Sequence, residues 1–247
     1  MKKMILLPLL FLSGLILAQN LEGAWKMTHQ NGKAMMDTEY IKIYQDGYFS
    51  FGAKEVTTNK FVSAGGGQFR LKDNLYQEML DFFTMKPEIV GQRTDFSLDM
   101  VDGKMVISTE MEGKALVEIW EKISDSKDDL TNNWVITGRK RDNEISRSTP
   151  GARRTIKILS GGRFQWVAFN SETKEFMGTG GGTYTAENGT YIEKIEFFSR
   201  DDSRVGASLE FKYEVIDGEW HHSGMSSTGN PIYEIWSAYS KAYTPIK

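Results

Sequence analysis

The chain has 247 residues, 40% hydrophobic, 26% charged and 12% aromatic, with 30 basic against 33 acidic side chains. That make-up excludes a disordered or low-complexity chain, and with no basic excess a nucleic-acid partner is not expected. Zero cysteines and three histidines exclude disulfides and thiolate chemistry and leave almost no material for a histidine-built metal centre; no cofactor is expected.

Residues 1–20 place Lys2 and Lys3 before an apolar run from Met4 to Ala18 that is interrupted by Pro8 and Ser13-Gly14. This is the layout of a secretory signal, residues 1–18, with Ala18 supplying the small residue at the cleavage site. At about 1.5 Å per residue the run spans only ~22 Å, short of the ~30 Å of a bilayer core. No cysteine follows it, so a lipid anchor is not expected. The expected location is secreted or periplasmic, with no transmembrane segment in the mature chain.

From there the sequence is written twice. Segments of about 21–123 and 130–239 superimpose at a nearly constant offset of 115 residues. Ile41-Lys42-Ile43 recurs as Ile156-Lys157-Ile158, Phe49 and Phe51 as Phe164 and Trp166, and Gly65-Gly66-Gly67 as Gly180-Gly181-Gly182. Tyr76, Glu78, Phe82 and Phe83 recur as Tyr191, Glu193, Phe197 and Phe198. Glu118-Ile119-Trp120 returns as Glu234-Ile235-Trp236. The expected organisation is a signal peptide (1–18), one domain over 19–123, a polar link over 124–130 and a second domain over 131–247.

Within each copy the apolar residues alternate with period two, as in Phe96, Leu98 and Met100 or Phe211, Tyr213 and Val215, which predicts strands. Two-residue turn signals such as Asp102-Gly103 and Asp217-Gly218 predict hairpins between them. In the second copy the strands fall near 133–139, 153–159, 163–169, 175–185, 190–199, 206–216, 219–225 and 231–239. The fold class expected is all-β: two tandem eight-stranded antiparallel up-and-down barrels. The glycine triplets lie inside strands and lack the lysine and helix of a phosphate loop, so they mark bulges or barrel corners.

Gly23-Ala24-Trp25 at the first strand resembles the G-x-W signature of lipocalins and related calycins; the second copy has Asn132-Asn133-Trp134 instead. The Gly-Gly-Gly-x-[Phe/Tyr] strand, the Tyr-x-Glu strand and the closing Glu-Ile-Trp strand together resemble the lipocalin-like domain family of secreted proteins from Bacteroidetes-type bacteria. The resemblance implies an eight-stranded barrel with a lumen and no established reaction.

Parity along the strands places Tyr76, Glu78, Leu80 and Phe82, and likewise Tyr191, Glu193, Ile195 and Phe197, on the inward face. A glutamate there must be hydrogen-bonded, paired or protonated. Trp220 and His222 also face inward and His221 outward, which brings His222 within prospective reach of Glu193. The longer first connection of the second copy carries Arg139, Lys140, Arg141, Arg147, Arg153 and Arg154, offset by Asp142 and Glu144, and could recruit an anion.

The function expected is non-enzymatic: a secreted protein holding a small hydrophobic or amphipathic ligand in a barrel lumen. The residues assigned to that ligand are Phe164, Trp166, Tyr191, Glu193, Phe211, Tyr213, Trp220 and His222, with Phe49, Phe51, Tyr76, Glu78 and Phe96 in the first copy. No catalytic or metal-binding residue is assigned, and no protein partner is identified. Two other readings stay open: an envelope or interaction module with self-filled barrels, and a cofactor-free isomerase or cyclase using Glu193 and His222.

Overall fold

The computed structural model describes residues 20–142, 144–226 and 228–243; the expected signal peptide (1–18) and the start of the mature chain at Gln19 lie outside them. The first copy forms β1 (Gly23–Gln30), β2 (Lys33–Ala34), β3 (Thr38–Gln45), β4 (Tyr48–Glu55) and β5 (Phe61–Lys72). It continues with β6 (Leu75–Phe83), β7 (Arg93–Val101), β8 (Lys104–Met111) and β9 (Lys114–Ser124). Apart from β2, each strand pairs antiparallel with the next, and β1 pairs again with β9, so that eight strands close into a barrel. β2 is a two-residue arm on the end of β1.

The second copy repeats the plan with β10 (Asn132–Arg141), β11 (Glu144–Arg147), β12 (Arg153–Ser160), β13 (Arg163–Asn170) and β14 (Glu175–Glu187). Then come β15 (Thr190–Phe198), β16 (Ser208–Ile216), β17 (Glu219–Met225) and β18 (Pro231–Ala238), with β10–β18 closing the second barrel. A last turn of helix, α1 (Tyr239–Ala242), follows. Among the described residues no helix is long and apolar enough to cross a membrane.

Local chemistry explains the closure. Asp102 and Gly103 have φ of 52° and 79°, and Asp217 and Gly218 of 52° and 78°; these are the doubly positive turns whose twist matches paired strands. The glycine triplets sit at bulges, as their position in the strands predicts. Register slips between Gly66 and Gly67 and between Gly181 and Gly182. A Cβ on Gly67 or Gly182 would run into the carbonyl oxygen of Met79 or Lys194.

The bulge corrects one expectation. Gly66 pairs with Phe82 and Gly67 with Leu80, which leaves Asp81 as the extra residue on β6. An extra residue inverts the face of everything beyond it. Phe82 and Phe197 therefore face out of their barrels, and Phe83 and Phe198 take the inward positions.

The outward residues are buried because the barrels pack on each other. Ile41, Ile43, Tyr48, Ala64 and Phe82 form one cluster with Val135, Ile156, Ile158, Val167, Phe169 and Tyr239. The contact is reciprocal: Ser160 bonds its own counterpart Gln45 at 2.8 Å, Phe82 packs on Phe169 and Phe197 on Gly52. Such pairing of matching surfaces is the pattern of an isologous dimer, here within one chain. Arg154, at 5% exposure, crosses the interface to Asp81 at 2.9 Å and donates to the Tyr239 hydroxyl at 3.0 Å.

The basic connection is accordingly not a single anion-recruiting loop. Its middle forms the ribbon β10–β11. Arg147 forks onto Glu219 at 2.8 and 2.9 Å, and Arg154 is committed to Asp81. Of that set only Arg139 lines a lumen.

Candidate functional site

In an up-and-down barrel alternate connections gather at opposite ends. At the end carrying the tight turns, each barrel is plugged by a leucine four residues ahead of a tryptophan. The Trp25 indole Nε1–H donates to the Leu21 carbonyl at 2.9 Å, and Trp134 to Leu130 at 2.8 Å. Leu130, the last residue of the expected link, thus packs in the second core. Aromatic rings fill this half: Trp25, Tyr44, Phe49 and Tyr76 in one barrel, Trp134, Phe164, Tyr191 and Trp220 in the other.

Above the filled half each barrel holds one buried ion pair. Lys42 Nζ lies 3.1 Å from Glu78 Oε1 and Lys157 Nζ 2.6 Å from Glu193 Oε1. A tyrosine two residues before each glutamate donates to the same oxygen, Tyr76 at 2.7 Å and Tyr191 at 2.8 Å. The ammonium groups also lie over indole faces, Lys42 at 4.8 Å from the Trp120 centroid and Lys157 at 5.3 Å from Trp220, an arrangement that favours a desolvated cation. Burial by itself would lower the Lys42 pKa, yet the Glu78 carboxylate holds it above the ordinary amine range. Burial and the adjoining carboxylates lift Tyr76 and Tyr191 well above the usual phenol range, so both stay protonated donors.

The open half of each barrel is hollow. The first cavity measures about 250 Å³ and is walled mainly by apolar side chains, including Phe51, Phe83, Met85, Ile89 and Phe96, over Lys42, Glu78 and Glu118. The second measures about 580 Å³, with Trp166, Phe198, Leu209 and Phe211 over Lys157, Glu193, His222 and Glu234. Its rim adds Arg139, Arg200 and Arg204. Burial raises the carboxyl pKa of Glu118, against the pull of Lys42. Burial would raise the carboxyl pKa of Glu234, the counterpart, yet neighbouring groups that include the Lys157 ammonium hold it below its ordinary value.

The sequence-assigned residues separate into two groups. Phe51, Glu78, Phe96, Trp166, Glu193, Phe211 and His222 line the cavities. Phe49, Tyr76, Phe164, Tyr191, Tyr213 and Trp220 are buried in the core clusters of their barrels, beyond those linings. His222 does not pair with Glu193, whose oxygen is taken by Lys157 and Tyr191. Its nearest carboxylate is Glu234, at 3.7 Å from Nδ1, too long for a hydrogen bond. His221 faces outward as expected and bonds the Tyr233 hydroxyl at 2.8 Å.

Lys42, Lys157, Glu118, Glu234, Arg200 and Arg204 were not assigned from the sequence. Lys42 shares strand parity with Tyr44, and Glu118 with Trp120, so the same period-two rule points these lysines and glutamates inward; Arg200 and Arg204 lie in the connection between β15 and β16, where that rule does not reach.

A family profile described as "Domain of unknown function (DUF4488)" matches residues 20–129, which hold the first barrel. No curated protein matches the chain.

Proposed function

We propose that the chain is a secreted, non-enzymatic binding protein of lipocalin-like type that carries a small, largely apolar ligand inside a barrel. One observation carries this reading. In both barrels an apolar-walled cavity stands over a buried polar cluster, about 250 Å³ over Lys42–Glu78 and about 580 Å³ over Lys157–Glu193. Concave, apolar walls with a few convergent polar groups are the usual form of a small-molecule site. The self-filled module is favoured by the aromatic packing at the plugged ends, but the open halves leave room for a guest. The isomerase reading lacks its acid–base couple, because Glu193 is engaged by Lys157 rather than by His222. Export rests on the lysine-flanked apolar run at residues 1–18.

The test uses 1-N-phenylnaphthylamine, an uncharged dye that brightens in apolar cavities. Thr94 and Leu209 occupy matching positions in the two linings. Saturable fluorescence is expected for the wild type, a reduced signal for Thr94→Trp or Leu209→Trp, and none for the double variant. A saturable signal that persists in the folded double variant would refute lumen binding.

A further inference from the structure

We propose that the second lumen is the site for an amphipathic acid whose apolar body carries a hydroxyl or carbonyl oxygen. This rests on the reading of the barrels as ligand carriers and names the chemistry of one of them.

The first argument is the difference between the copies at matching lining positions. Where the first barrel has Gln30, Met85 and Ile89, the second has Arg139, Arg200 and Arg204. Two carboxylates accompany them: Glu234 lies 3.4 Å from Arg139, and Asp201 lies 3.5 Å from Arg204. Arg200 spends Nε and Nη2 on the Met177 carbonyl and keeps its charge unopposed by an acid. Three guanidinium groups against two carboxylates leave the rim cationic. The lining of the first barrel instead sets Lys42 against Glu78 and Glu118. An anionic end group is therefore accommodated at the second mouth and not at the first, and guanidinium is the group best shaped to fork onto a carboxylate.

The second argument is independent and lies deeper in the same cavity. His222 is 2% exposed, and neither of its ring nitrogens has a hydrogen-bond partner. The indole Nε1–H of Trp236 is likewise buried and unpartnered. Native proteins satisfy almost all such groups, so each exception calls for a missing partner. At the two matching positions the first barrel leaves no such group unpaired. There the Trp120 indole donates to Glu118 Oε2 at 3.0 Å, and the position of His222 is taken by Ile107, which needs no partner.

Burial keeps the His222 ring neutral by lowering its pKa, with Lys157 acting in the same direction and Glu234 and Glu193 against it. A neutral imidazole presents one donor and one acceptor, and the indole one donor. A ligand hydroxyl can accept from an N–H or donate to the bare ring nitrogen, and a carbonyl can accept from an N–H. A second carboxylate at this depth would meet Glu193 and Glu234, so the charge belongs at the rim and a neutral oxygen belongs inside.

Calorimetric titration of the full mature chain with 12-hydroxydodecanoate, dodecanoate and dodecan-1-ol tests both arguments. Variants that copy the first barrel's own residues, Arg200→Met/Arg204→Ile and His222→Ile, are compatible with the fold. The wild type should bind the hydroxy acid most tightly and the alcohol most weakly. Arg200→Met/Arg204→Ile should remove at least about tenfold of the preference for acid over alcohol. His222→Ile should remove the preference for the hydroxy acid over dodecanoate and leave the acid–alcohol difference in place. Equal affinities for the three compounds, or preferences that survive these substitutions, would overturn the proposal. If phenylnaphthylamine still binds in that case, only the ligand class falls; if it too fails to bind, the carrier reading falls with it.

Discussion

In the first barrel the Lys42–Glu78 pair lies beneath a rim of Gln30, Met85 and Ile89; in the second, Lys157–Glu193 lies beneath Arg139, Arg200 and Arg204. The two copies began as one sequence, so what they still share and what they have changed answer different needs. The shared features are the ion pair, the tyrosine that donates to it, the leucine–tryptophan plug and the glycine bulge. Each of these is tied to burial or to backbone clearance. The changed features surround the cavity, where side chains border empty space and substitution costs the fold little. The floor is a structural element and the rim is where the copies have diverged in ligand chemistry.

The largest effects should come from the floor, and should be equal in the two barrels. Lys157→Met leaves Glu193 buried without its counter-ion, and Lys42→Met does the same to Glu78. Breaking one side of a buried pair costs about 3–5 kcal/mol, whereas replacing both sides by apolar groups is often near neutral. Urea unfolding should show that loss for each single variant, and much of it restored in Lys157→Met/Glu193→Leu. A double variant as unstable as the single would mean that the pair itself stabilises the barrel.

Next in size is the junction between the copies. Arg154→Leu leaves the buried Asp81 without its counter-ion, though still bonded by the Tyr48 and Tyr239 hydroxyls at 3.1 and 3.4 Å, and should cost about 2–3 kcal/mol. Because the interface cluster couples the barrels, the wild type should unfold in one calorimetric transition and this variant in two. Two transitions in the wild type would show that the interface contributes little.

A smaller effect distinguishes the barrels by pH. Burial lowers the His222 pKa, so below its ordinary value of about 6.5 the unfolded chain binds the proton first. Stability from His222 is therefore complete above that value and is lost as pH falls toward the folded one. Glu118 has the opposite sign: burial raises its pKa, and its contribution is present at low pH and is lost as pH rises through the folded value. Acidification from pH 7.5 to 5 should weaken the second barrel relative to the first, and His222→Ile should abolish most of the difference. Amide hydrogen exchange followed by mass spectrometry resolves the barrels separately; equal acid responses would contradict these assignments.

The smallest effect concerns the rim. Arg200→Met/Arg204→Ile alters solvent-facing side chains and should move stability by no more than about 0.5 kcal/mol, as read by urea midpoint, while changing anion affinity. A large loss would make the rim structural.

Much of this was legible in the sequence. The strands of the second copy lie within a few residues of their expected limits, because period-two alternation and Asp-Gly turns act locally. The bulge positions were legible from the glycines, but the resulting change of face was not: an extra residue is defined only by its pairing partner, so Phe82 and Phe197 were placed inward. The interface was hidden for a related reason. Ile41 and Ile43 look like core residues of a barrel, yet Lys42 between them takes the inward face and the isoleucines meet the other barrel. A strand buried on both sides loses the alternation that would show which face is which. The same ambiguity concealed Lys42 and Lys157 as the partners of Glu78 and Glu193, and with Lys157 the reason that His222 does not meet Glu193.

The account depends most directly on the ligand residing in the second lumen. Native mass spectrometry with 12-hydroxydodecanoate on the wild type, Thr94→Trp and Leu209→Trp would locate it. One bound molecule per chain in the wild type and in Thr94→Trp, and none in Leu209→Trp, is the predicted result. A bound molecule retained by folded Leu209→Trp, or lost from Thr94→Trp alone, would contradict it.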